Sequence, residues 1–252
     1  MRLSSSVIKV AYESRYRQYE QKRLWGTDYH LKCWDLGRRS FEDGSFEAFK
    51  TLYWELRNNW QVFRSKNFNP PTAESVYGLL SQIDNGLRSL RIRDLADLDS
   101  SRLQQVWEAM AMIGSIKENK DGPSVMATSK FLHFFNPRLF VIVDREAMWN
   151  WVFRHGWLRN EVERVNEVLP SRLSAQTRQH KYFQTDLRWL LAIMAWSGQV
   201  LQSNPSINAA FDAHIRRYAK VTVLEDVKTY DAAAIEWLLL GLVELPPVGV
   251  TI

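Results

Sequence analysis

Prolines and helix-capping residues constrain this chain more than any other feature, because each fixes where a helix has to stop or start. Pro70, Pro71, Pro123, Pro137, Pro170, Pro205, Pro246 and Pro247 fall between stretches of helical apolar spacing or at their first turns, where a missing amide donor is harmless. Asp99, with Ser100 and Ser101, offers N-cap chemistry to a segment whose Leu103, Val106, Trp107, Met110 and Ile113 share one helical face. Asp121, Gly122 and Pro123 open the next helix. Met148, Trp151, Val152 and His155 form another stripe with Gly156 as its C-terminal cap, and Leu158, Val162, Val165 and Leu169 form the one after it. Residues 186–201 are apolar on two sides, Leu187, Leu190, Leu191, Met194 and Leu201 against Trp189, Ile193, Trp196 and Val200, which puts that helix in the middle of a bundle. Asn204 and Pro205 start a helix carrying Phe211, Ile215 and Tyr218, and Asp231 caps the last one, AAAIEWLLLGLVE. FEAFKTLYWELRNNWQVF and AESVYGLLSQIDNGLRSL supply two more. Strand patterns are confined to LFVIV before Asp144 and KVTVL near Lys220, both too isolated for a sheet of any size. The expected fold is all-α, a bundle of about ten helices. It forms one domain over residues 1–252, or two lobes made of about 1–98 plus the C-terminal helices and of about 99–203.

A hydrophobic fraction of 46% in 252 residues is enough to bury a sizeable core. The single cysteine, Cys33, excludes an intrachain disulfide framework and a multi-thiolate zinc site. His30, His133, His155, His180 and His214 show no paired ligand spacing, and no HExxH, Walker, dinucleotide-glycine or Gly-x-Ser-x-Gly pattern occurs. Neither a metal nor a cofactor is therefore expected. The first residues, MRLSSSVIKVAYESRYRQ, lack the apolar run of a signal peptide, and the most apolar later run, WLLAIMAWSGQVL, is too short to cross a bilayer. The expectation is a cytoplasmic protein with no membrane partner. A net charge of +5 points to an anionic partner, nucleic acid foremost.

The stretch FLHFFNPRLFVIVDREAMWNW, residues 131–151, holds the residues with most chemical interest. A short apolar extended segment ends at Asp144, at the start of a further helix. There its carboxylate is either an N-cap facing backbone amides or a reacting group. Glu146 assists it or answers the helix dipole. Trp149 lies off the apolar stripe of that helix and is the candidate for lining a pocket, whereas Trp151 lies on the stripe and reads as core. Lys130 and His133, three residues apart, can share a helical face. Arg138 and Arg145 flank Asp144 and are candidates for phosphate contact. The polar segment PSRLSAQTRQHKYFQTDLR adds Arg172, Arg178 and Lys181, a composition suited to backbone phosphates and equally to a solvated loop.

A helix, a turn, a second helix, an apolar segment ending in Val-Asp and a further amphipathic helix resembles the core of the helix-hairpin-helix DNA glycosylases over roughly residues 99–155. The resemblance implies that VDREAMWNWV supplies the family's catalytic aspartate as Asp144. It also implies that SVMATSKFLHFF is the second hairpin helix, and that the turn with Gly122 and Ser124 meets a DNA phosphate. The turn reads NKDGPS rather than the family's Leu-Pro-Gly-Val-Gly type. Ser124 to Met126 stand nearest the place of the Schiff-base lysine of bifunctional members, with Lys130 farther along the helix. The resemblance thus implies a monofunctional enzyme, Lys130 remaining a second catalytic candidate and His133 a pocket residue beside Trp149. The substrate implied is duplex DNA with a modified base flipped out of the stack, and the anti-phage glycosylases that excise glucosylated hydroxymethylcytosine are the comparison within the superfamily. Two other classes stay open: a non-enzymatic nucleic-acid-binding module, and a helical interaction partner in a toxin or defence pair.

Overall fold

The computed structural model describes residues 2–20, 26–63, 69–114, 116, 118–119, 122–143, 156–171, 173, 181–242 and 250–251. Among them the fold is all-α. Its helices are α1 (Ser5–Tyr19), α2 (Thr27–Phe41), α3 (Phe46–Asn58), α4 (Ala73–Ser81), α5 (Gly86–Ser89), α6 (Ser100–Gly114), α7 (Val125–Phe135), α8 (Gly156–Val168), α9 (Lys181–Ser203), α10 (Ser206–Tyr218) and α11 (Asp231–Leu242). Short 3-10 turns lie at Ile92–Leu95 and Val227–Thr229. The described strands are two residues long: β1 (Arg2–Leu3) pairs antiparallel with β4 (Val250–Thr251), and β2 (Glu118–Asn119) with β3 (Gly122–Pro123).

Several helices begin where a side-chain oxygen can take an orphan amide. Ser4, Ser45, Thr72 and Ser124 accept from the amides of Val7, Ala48, Ser75 and Ala127, and Asp99 Oδ1 accepts from Arg102 N at 2.9 Å. Each such cap contributes about 1 kcal/mol. One expected boundary and one expected cap differ. The helix expected to open at 121–123 starts at Val125, because Gly122 and Pro123 pair with β2 and leave Ser124 as the cap. Gly156 is the first residue of α8, and the stripe from Met148 to His155 expected to end there lies outside the described residues. Asp231 heads α11, but its carboxylate turns away from the helix amides toward Arg91, Arg93 and Asn208. Neither strand-like stretch joins a ladder: KVTVL is a surface loop with Val221 half exposed, and LFVIV is buried, starting in a turn and continuing without regular secondary structure.

The 23-residue α9 is the centre of the bundle, as its two apolar faces require. It packs on the 92–95 turn and on α6, α7, α8 and α11, with Leu187, Leu191, Ile193, Met194 and Leu201 fully buried. All twelve residues of α11 are buried, Asp231 and Glu236 included, and α1, α9 and α10 cover it. Glycine permits two of the closest crossings. A Cβ on Gly241 of α11 would overlap the Ala11 carbonyl of α1, and one on Gly37 of α2 would overlap the Phe134 carbonyl of α7. These contacts fix α7 and α11 on either side of the segment that leads to Asp144.

Candidate functional site

The site begins at the Asn-Pro break that ends α7. Asn136 N still donates to Leu132 O at 2.8 Å, and the following proline prevents another helical turn. The Asn136 side chain then works as a bracket. Its Nδ2 donates to Leu87 O at 2.7 Å and Leu90 O at 3.0 Å, while Oδ1 accepts from Arg138 N at 3.0 Å. Pro137 O accepts from Ala233 N of α11, and Arg138 O accepts from Ile92 N at 2.8 Å. One turn is thereby tied to α5, to the 92–95 turn and to α11.

From there residues 139–143 run through the core without regular secondary structure, none more than 2% exposed, the Leu139 and Phe140 amides still donating to Asn136 O. A buried segment outside helix and sheet has to satisfy its remaining amides and carbonyls by other means. Three side chains do so. His133 Nδ1 donates to Phe140 O at 2.7 Å, Ile142 N donates to Glu236 Oε2 at 3.2 Å, and Val143 N donates to Ser129 Oγ at 3.0 Å. Ser129 and His133 are four residues apart on α7 and so face the segment together, while Glu236 reaches it from α11. His133 Nε2 accepts from Trp34 Nε1 at 2.9 Å, so both ring nitrogens are engaged and these partners fix a neutral ring protonated at Nδ1. Burial lowers its pKa to about 4. Glu236 Oε2, 3.8 Å from Nδ1, is too far to hold a second proton on the ring against that desolvation.

Asp144, Arg145, Glu146, Trp149 and Trp151, and likewise Arg172 and Arg178, lie outside the described residues. Lys181 is the first residue of α9, and Gly122 sits in β3, paired with Asn119. Ser124 Oγ is occupied as the α7 cap, accepting from Ala127 N at 3.3 Å. Lys130 and His133 do not converge. Lys130 is 6% exposed, with Nζ donating to Trp60 O at 3.4 Å and standing 5.5 Å from the Trp60 ring centre. His133 instead points at Phe140 and Trp34, so to line a base pocket it would have to surrender one of those bonds. Arg138 is held by Asp226 at 2.8 Å, which leaves only part of its guanidinium for any phosphate.

Three residues central to this arrangement, Ser129, Asn136 and Glu236, were not among the candidates read from sequence. Glu236 carried a usable signal: it is the only charged residue inside AAAIEWLLLGL, and an acid surrounded by apolar residues has to find a donor. Ser129 gave none beyond its spacing from His133. Among the described residues no three His, Cys, Asp or Glu side chains gather as a metal site, and no helix is long and apolar enough to cross a membrane. Comparison with protein-family models, curated proteins and solved structures finds no match in any of the three.

Proposed function

We propose that this chain is a monofunctional DNA glycosylase that excises a modified base, with Asp144 as its catalytic carboxylate. The observation that supports the reading is the clamped segment 139–143. Its backbone is held by side chains of α7 and α11 up to the residue before Asp144, and Val143 O also accepts from Ser129 Oγ at 3.3 Å. Electrostatic catalysis depends on a charge that is placed in advance and does not reorganise.

In this reaction the bond between the sugar carbon and the base nitrogen breaks, and the electron pair leaves with the base. The carboxylate offsets the positive charge that develops on the sugar. Water then bonds to that carbon through its oxygen and gives up a proton, and the base is released protonated. Water is the nucleophile in this reading, as the resemblance to monofunctional members implies, and the bond from the Lys130 amine to Trp60 O is compatible with it. The surplus of positive charge, +5, suits a duplex partner bound with a strong salt dependence.

The test is incubation with duplexes carrying damaged or hypermodified bases, read as alkali-labile sites. Asp144→Asn is expected to slow base release by about a hundredfold or more. Ser129→Ala is expected to lower kcat with KM unchanged, since it loosens the arm without touching DNA. Equal release by wild type and Asp144→Asn would remove Asp144 from the chemistry. Salt-dependent duplex binding without any base release would leave a non-enzymatic nucleic-acid-binding protein.

A further inference from the structure

A shallow cleft of about 400 Å³, counting its open mouth, lies between α2, α5, the end of α7 and the turn at 136–138. Its floor is aromatic, and its charged lining is three guanidiniums, Arg38, Arg88 and Arg138, against one carboxylate, Glu42. Two of the three are anchored from outside the cleft. Arg38 bonds Asp35 at 3.2 Å and stands 3.5 Å from Asp43, and Arg138 bonds Asp226 at 2.8 Å. Arg88 is different. It lies against the Phe135 ring at 5.3 Å and gives Nη1 to the Phe41 carbonyl at 2.5 Å, so the side chain is fixed, yet it pairs with no carboxylate among the described residues. Its Nε is buried and has no hydrogen-bond partner among the described residues. A buried guanidinium donor left unmet costs free energy. Fixed on an aromatic ring in the lining of a cleft that holds two further guanidiniums, it supplies a planar positive charge of the kind that suits a tetrahedral oxyanion.

We propose that this cleft is a phosphate-binding site in which Arg88 is the principal donor, Arg38 and Arg138 complete the charge, and Glu42 limits the affinity. The proposal does not depend on Asp144. The shared chemistry is a phosphate oxyanion, whether from the backbone of a bound strand or from a terminal or free phosphate.

The experiment is thermal unfolding and calorimetric titration of the full chain with inorganic phosphate, against sodium chloride at equal ionic strength. Phosphate is expected to raise Tm saturably where chloride does not. Arg88→Gln should weaken phosphate binding about tenfold or more, the worth of a charge-assisted hydrogen bond, and Glu42→Gln should tighten it by about threefold through loss of one like charge at the rim. Arg88→Gln also removes the bond to Phe41 O, so Arg38→Gln, in the last turn of α2, and Glu42→Gln, just past its end, carry the test if that variant does not fold. A phosphate effect no larger than that of chloride, or one that Glu42→Gln and Arg38→Gln leave unchanged, overturns the site. Oligothymidylates with and without a 5′-phosphate then separate the sources: binding of the phosphorylated form alone assigns a terminal phosphate, and equal binding of both assigns the strand backbone. Loss of base release in Asp144→Asn leaves every one of these readouts unaltered, so the two proposals fail independently.

Discussion

His133 and Asp231 show how strongly single buried polar residues bind this fold to solution conditions. In the unfolded chain an imidazole takes its proton near 6.5, whereas burial holds folded His133 to about 4. Between those values the unfolded state binds the extra proton. The stability His133 contributes is therefore complete above about pH 6.5 and lost as pH falls toward 4, by about 3 kcal/mol. His214, also lowered to about 4 by burial, adds to the same window. Urea unfolding from pH 7.5 to 4.5 should show His133→Gln losing stability less steeply than wild type. Identical slopes would mean that the ring does not stay neutral in the fold. Asp231 is fully buried and takes bidentate bonds from Arg91 and Arg93, both about 2.7–2.8 Å. Asp231→Asn leaves two guanidiniums facing one another without an anion, an expected loss of about 3 kcal/mol. Each arginine is about one-third exposed, which keeps the loss at the lower end for a broken buried pair. A denaturant midpoint equal to wild type would contradict it.

At the level of elements, two glycines on helices separate the cost of a close crossing from helix propensity. Gly241 meets the Ala11 backbone where α11 crosses α1, whereas Gly78 in α4 has open space where a Cβ would be. Gly241→Ala should destabilise the protein by about 1–3 kcal/mol through overpacking. Gly78→Ala should be neutral or stabilising by up to about 1 kcal/mol, the helix-propensity difference. Chemical denaturation of the two variants side by side checks both, and equal midpoints would show that α1 and α11 can separate freely. The segment at 139–143 makes the complementary point: it has the composition of a strand but no ladder, and it is held by His133, Glu236 and Ser129 instead. That is why a strand-like apolar run here implies no sheet, and why the arm leading to Asp144 depends on two helices rather than on itself.

Across the whole molecule, what sequence alone determined was local. The all-α class, the two-faced α9, the cap at Asp99 and the break at Asn136 were legible because helical hydrogen bonds and caps join residues three or four apart, and apolar period reports which face is buried. The lone Asp144 after an apolar segment was legible for the same reason, as a feature of neighbouring residues. Tertiary structure alone decided which distant groups meet. It took Asp231 from the helix cap it was expected to be and gave it to Arg91 and Arg93, turned Lys130 to Trp60 and His133 to Phe140 and Trp34, and brought Glu236 of α11 onto Ile142. The physical reason is that a buried polar group has to be satisfied by whatever the chain crossing places beside it, and crossings are fixed by packing of whole helices, which no short window of residues encodes.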